Sequence, residues 1–472
     1  MSFPFLPLFL AVLSVAKLPF SVDATQDASA EFPGAPHIQS FSFAQWQGRW
    51  VFIGGRSAGY HNAGGGPAEF LRSDANRDIW VVDTTVHPAK TYHVPVEALS
   101  ASLGPVKDQW TSTGQCYYQD GPKLYICGGY GEDHAGKWVT YGLISEVDLP
   151  DLIDSVMHGR APSAIRFVQS KLVESAGGEL IKLPDGYFYL VMGHSFQGGY
   201  TAFEGQGEHD AGSVSQAYLD EIRKLKVEAD AKGKLDIRLI KSYRDETEFH
   251  RRDLNVTEIL SPAGVGLAAY GGVFTPKTQL SYSKPIYLLD SSGPQVDTKF
   301  DQKMNAYACP RLLIYDKAGQ TMYTTFFGGI SQFSWDPSAH DFLEYPKIGS
   351  KTEQVYLDGM QWSDQISTIR KVMAPGREET SEVVHASSLP GFLGTDAVFI
   401  PAPEIKRAAA DTAILDLDAL QGTKTLVGYI FGGIQAFPYS FPYLKTAKPY
   451  NAGAVPSRPS TQILKVYVQA EH

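Results

Sequence analysis

Short apolar runs that end on paired glycines recur along this chain, and their spacing sets its architecture. The runs are Trp50–Gly55, Leu124–Gly129, Tyr189–His194, Ala268–Gly272, Thr325–Gly329 and Gly428–Gly433, with Gly-His replacing Gly-Gly in the third. Each is preceded by another strand candidate, in most cases across a tight polar turn, so the two read as a hairpin. Phe41–Trp46 precedes Gln47-Gly48, Glu179–Leu183 precedes Pro184-Asp185-Gly186, and Arg311–Tyr315 precedes Asp316–Gly319. After a loop of variable length comes a third run with apolar and polar positions alternating, the period of a half-buried strand. These runs are Asp78–Asp83, Leu143–Asp148, Glu221–Leu225, Pro285–Asp290, Gln365–Arg370 and Gln462–Tyr467. Lys90–Val94 and Leu235–Lys241 are candidates for a fourth strand.

A hairpin, a glycine pair, a third strand and an outer strand, repeated six times, predict an all-β fold. The arrangement is that of a six-bladed β-propeller with four-stranded antiparallel blades. The glycines suit the end of the second strand, where neighbouring blades approach closely and the backbone turns through positive φ. The sixth unit stops at its third strand, so the ring has to be closed by the mature N-terminal segment, expected at His37–Ser40. Such closure removes exposed sheet edges.

Within the first repeat, Ile53-Gly54-Gly55, then Asn76–Asp83, then Thr91–Pro95 resembles a kelch repeat: a glycine pair, an Asn-Asp-apolar strand and an aromatic fourth strand. Through Gly54-Gly55-Arg56, His250-Arg251-Arg252-Asp253 and Phe326–Ile330 the chain is also similar to uncharacterised secreted kelch-like proteins of bacteria. The resemblance implies kelch-like architecture over Phe41–Val468 and brings no activity with it.

The length of 472 residues would allow two or three domains, but a repeat that runs the whole way makes residues 31–472 one propeller. A formal charge of -10 argues against nucleic-acid binding, which depends on Lys and Arg neutralising phosphates. Residues 1–24 read as a secretory leader: Phe3–Ala16 has the length of its apolar core, and small residues offer cleavage after Ala24 or as late as Ala30. The missing basic residue before the apolar core departs from that pattern. The expected location is secreted or periplasmic, and no later run is long and apolar enough to span a membrane. Three cysteines make neither a disulfide framework nor a zinc site. If Gln115–Gly128 is a hairpin, Cys116 and Cys127 face each other, as a disulfide or as two buried thiols.

Chemistry is expected on the face that carries the long connections between second and third strands and between blades, since loops on a rigid scaffold are where binding residues gather. Arg56, His134 and His194 follow glycine pairs, and His250, Arg251, Arg252 and Asp253 lead into the fourth blade. Two arginines beside an aspartate suit a carboxylate or sulfate, although the same residues also tie neighbouring blades together. Adjacent strand residues point to opposite faces, so only one of the two arginines is expected to reach a ligand. The histidines have no metal-site spacing, and no cofactor is expected; nucleophile-elbow, phosphate-loop and haem motifs are absent. Two functions follow. One is a monomeric binding module that takes a small molecule, glycan, peptide or protein partner at the channel mouth. The other is a small-molecule enzyme such as a sugar-acid mutarotase or isomerase, sialate mutarotases being exported kelch-like propellers.

Overall fold

Each glycine-ended run becomes the second strand of an antiparallel sheet in the computed structural model, which describes residues 17–61, 70–200, 215–348, 357–420, 422–438 and 455–471. Among these residues, six sheets of four or more strands succeed one another along the chain. The first pairs Ser42–Trp46, Arg49–Ile53, Asp78–Asp83 and Lys90–Pro95 in that order, and the second begins Thr113–Asp120, Lys123–Glu132 and Leu143–Asp148. The third starts at Glu179–Lys182, the fourth at Arg252–Ser261, the fifth at Arg311–Asp316 and the sixth at Phe392–Pro401. Their four-strand cores pair antiparallel, with one parallel edge pair, Arg311–Asp316 with Leu415–Asp416, in the fifth, and the chain is an all-β propeller. Alternation decides which side chains go inward. Val51, Ile53, Ile79, Val81, Leu124 and Ile126 form one core between the first two sheets, capped by Leu152 and Val156 of the helix Leu149–Met157.

The glycine pairs take the conformations their position demands. Gly54 and Gly55 have φ of 72° and 83°, and Gly128 and Gly129 have 65° and 89°. In the third sheet Met192 takes φ 58° ahead of Gly193, a strained setting for a side chain. The tightest approach is at Gly128, where a Cβ would lie 1.8 Å from the Ser175 carbonyl oxygen of the next sheet. At the start of the innermost strands a second device ties the sheets together. The N–H of Gly114 donates to Ser40, Gly177 to Gly114, Asp253 to Gly177, Ala308 to Asp253, Asp396 to Ala308 and Ser40 to Asp396, at 2.6–3.3 Å. One residue from each sheet thus joins a closed circle of backbone hydrogen bonds around the central channel.

One expectation is corrected. The sixth sheet is completed by Phe20–Asp27, which pairs antiparallel with Leu464–Ala470 (Phe20 opposite Ala470, Val22 opposite Val468). His37–Ser40 instead leads into the first sheet, where Gln39 bridges Arg56 and Ser40 joins the circle. The closing strand therefore lies ahead of residue 31: cleavage after Ala24 would cut it and cleavage after Ala30 would remove it. Residues 1–16, with the apolar leader core, lie outside the described residues. Cys116 and Cys127 face each other across the hairpin, and of the two states the sequence left open they take that of buried free thiols. The contact with Cys116 and burial raise the Cys127 thiol well above its ordinary pKa, so the thiolate needed for oxidation is suppressed.

Candidate functional site

The inner strand ends and the connections beyond the glycine pairs enclose a cavity of about 160 Å³ at one mouth of the channel. Arg252 dominates it. The side chain is buried, with its guanidinium 4.4 Å from the centre of the Phe274 ring. Its Nη1 donates to His194 Nδ1 at 3.1 Å and its Nη2 to the Tyr200 hydroxyl at 3.1 Å. Among the described residues the Nε makes no hydrogen bond; the closest approach to Asp253 is 3.5 Å from that nitrogen to Oδ2. Because an arginine only donates, His194 has to accept, and burial followed by the Arg252 charge holds its pKa well below the ordinary value. His194 is therefore neutral, with Gln216 Nε2 also 2.8 Å from Nδ1.

Arg56 stands on another wall, its guanidinium 4.3 Å over the Phe70 ring and 3.7 Å from Asp74. Phe70, Tyr130, Phe196 and Tyr200 make an edge-to-face aromatic lining, with the ring centres of Phe70 and Tyr200 4.9 Å apart. The circle of hydrogen bonds crosses this cavity and presents two carboxylates, Asp253 and Asp396, where its other members are Ser40, Gly114, Gly177 and Ala308. Both aspartates have positive φ, 53° and 55°, a conformation that costs a non-glycine residue energy and persists at sites the surroundings over-determine. Burial, then the Asp253 charge, pushes Asp396 up to about 7, against the Ser40 hydroxyl and Arg56. Burial also raises Asp253, opposed by Arg252 and by a hydrogen bond from Tyr307.

Of the residues expected at the site, Arg56, His194, Arg252 and Asp253 line this one cavity. His134, Arg251 and His250 are not among its lining residues. His134 is at the surface, its Nδ1 2.7 Å from Asp108. Arg251 is sealed inside the fold, where Nε donates to the Glu248 carbonyl, Nη1 to the Gly271 carbonyl and Nη2 to the Glu248 carboxylate, over the Tyr282 ring. His250 pairs with Asp220 at 2.7 Å and stacks on Tyr218. Sequence reasoning missed Asp396 and Tyr307. Their signal was position: aligned on the circle rather than on the glycines, Asp396 falls in register with Asp253.

Among the described residues no group of three His, Cys, Asp or Glu is placed to hold a metal ion, and no helix is long and apolar enough to cross a membrane. No protein-family model matches the chain, and no characterised protein matches it. Among solved structures it is similar to that of YjhT, with a TM-score of 0.48 and 11% sequence identity, covering 93% of this chain and 99% of the other.

Proposed function

We propose that this propeller binds a small anionic, hydroxyl-rich molecule, such as a sugar acid, in the cavity at its channel mouth. The observation that carries the reading is the buried Arg252, whose Nε has no hydrogen-bond partner among the described residues and which shares the cavity with Arg56. A carboxylate entering there replaces water with charge-assisted donors, while tyrosine hydroxyls, His194 and the aspartates serve hydroxyl groups. Calorimetry with glucuronate and with neutral methyl glucoside tests it. The acid is expected to bind and the glucoside to bind at least about ten-fold more weakly, with Arg252→Ala erasing the preference. Equal binding of both, or of neither, overturns the reading.

A second reading, catalysis on the same kind of ligand, is favoured by the paired aspartates. A carboxyl group poised near neutrality both donates and accepts protons, which is what a mutarotase or isomerase asks of its acid and base. Asp396→Asn is then expected to slow anomer exchange of a bound sugar acid, followed by NMR, about a hundred-fold or more while leaving its affinity within a few-fold. An unchanged exchange rate confines the protein to binding.

The same reading takes the six sheets as six blades, a count supported by the six-membered circle, and takes the repeats as kelch-like. It also places the protein outside the cytoplasm. The leader would end at Ser14-Val15-Ala16, where two small residues flank Val15 at the end of the apolar core. That position leaves the closing strand on the mature chain.

A further inference from the structure

Past the circle of hydrogen bonds, Tyr117, Glu179, Cys309 and Arg311 line both the mouth cavity and a second one of about 830 Å³. Glu179 and Arg311, from the third and fifth sheets, form an ion pair where the two meet. The larger cavity opens on the other face of the propeller, among the hairpin turns that contain Gln47, Gly48 and Gly121. Phe43, Trp46, Tyr118 and Phe399, all half-buried, stand along it.

Glu258 on the inner strand Arg252–Ser261 also lines this cavity and is only 9% exposed. Its Oε2 accepts the Ala413 N–H at 2.7 Å. Arg407, whose charge reaches it, directs its own donors to the carbonyls of Ala413 and Ala402 at 3.3 and 3.4 Å. The adjacent Thr257 Oγ1 is buried with no hydrogen-bond partner among the described residues. A carboxylate set this deep, with no salt-bridged cation among the described residues, is costly, and an arriving cation offsets the cost. Aromatic rings around it favour the same charge.

We propose that this second cavity is a separate ligand site that takes a primary amine on a flat apolar body, the ammonium held by Glu258 and the body packed among the aromatic rings. Burial, the largest influence, raises the Glu258 carboxyl to about 7, against the Ala413 N–H and Arg407. The groups around it are Arg407, Asp411, Tyr118, Thr257 and the Glu179–Arg311 pair. Only the ionised carboxylate holds an ammonium, so affinity falls as the solution is acidified through that range.

Calorimetry with phenethylamine, 2-phenylethanol and phenylacetate on the intact protein tests the assignment. At pH 8 the amine is expected to bind at least about ten-fold more tightly than the alcohol or the acid, and to weaken several-fold at pH 6. Glu258→Gln removes the preference, whereas Arg252→Ala in the other cavity leaves it intact. Preference for phenylacetate, equal binding of the alcohol, a flat pH response or no binding of the amine each overturns the proposal. Should Glu258→Gln fail to fold, the pH series and the three-ligand comparison on the native protein decide it.

Discussion

A protein shortened to begin at residue 28 is expected to lose its cooperative thermal transition, as followed by circular dichroism. Phe20–Asp27 is the outer strand of the sixth sheet, and without it the edge of Leu464–Ala470 is bare. The strand also fills a core. Phe20, Val22 and Ala24 are buried with Leu464, Val466 and Val468, and the Phe20 ring meets Tyr323 of the fifth sheet edge-on at 5.3 Å. Ser387 of that sheet donates its hydroxyl to the Val22 carbonyl at 2.5 Å. The strand therefore joins the last blade both to its own third strand and to its neighbour. Phe20→Ala alone is expected to cost about 3–5 kcal/mol, the range for emptying a buried aromatic site, measured by denaturant unfolding. A truncated protein with an unchanged melting curve would show that the ring holds without this strand. If the chain is exported as proposed, mass spectrometry of the exported protein is expected to find Lys17 first, since a chain starting at Thr25 or Glu31 lacks most or all of the strand.

The repeats were legible because their punctuation is conformational. Two consecutive positive-φ residues beside a neighbouring backbone leave little alternative to glycine, and the alternating third strands carry their burial in their pattern. The closing strand was not legible for the opposite reason. Phe20, Val22 and Ala24 alternate as a strand should, but they follow the apolar run Phe3–Ala16, which reads as the core of a leader, and Ala24 reads as a small residue at a cleavage point. At the site, distance from a glycine pair leads to Arg56 and His194, which line the mouth cavity. It misplaced His134, because the strand Lys123–Glu132 continues past its glycines and carries the next residues outward, to where His134 meets Asp108. It also missed Asp396, whose partner in register is found only once the inner ends of the blades are superposed.

Arg251 and Arg252 offer the sharpest separation of structure from function, because neighbouring positions at the entry to the strand Arg252–Ser261 have opposite surroundings. Arg251→Ala is expected to cost about 3–5 kcal/mol, since it leaves two buried carbonyls and the Glu248 carboxylate without their donor, while ligand affinity in the folded protein stays unchanged. Arg252→Ala leaves partners that border a cavity: His194 is neutral, Tyr200 keeps its hydroxyl, and Asp253 retains the Tyr307 hydrogen bond with its side chain 21% exposed. Its stability loss is therefore expected to remain below about 2 kcal/mol, with the sugar-acid affinity gone. The loss should also depend on pH. Without the Arg252 charge, Asp253 holds its proton more tightly in the folded state than in the unfolded chain. Folding is then favoured below the unfolded carboxylate range, and that advantage disappears as pH rises through the folded value. Urea unfolding at pH 5 and pH 8 should therefore find the Arg252→Ala deficit larger at pH 8. A large, pH-independent drop in stability with sugar-acid binding intact would make Arg252 a tie between blades, as Arg251 is.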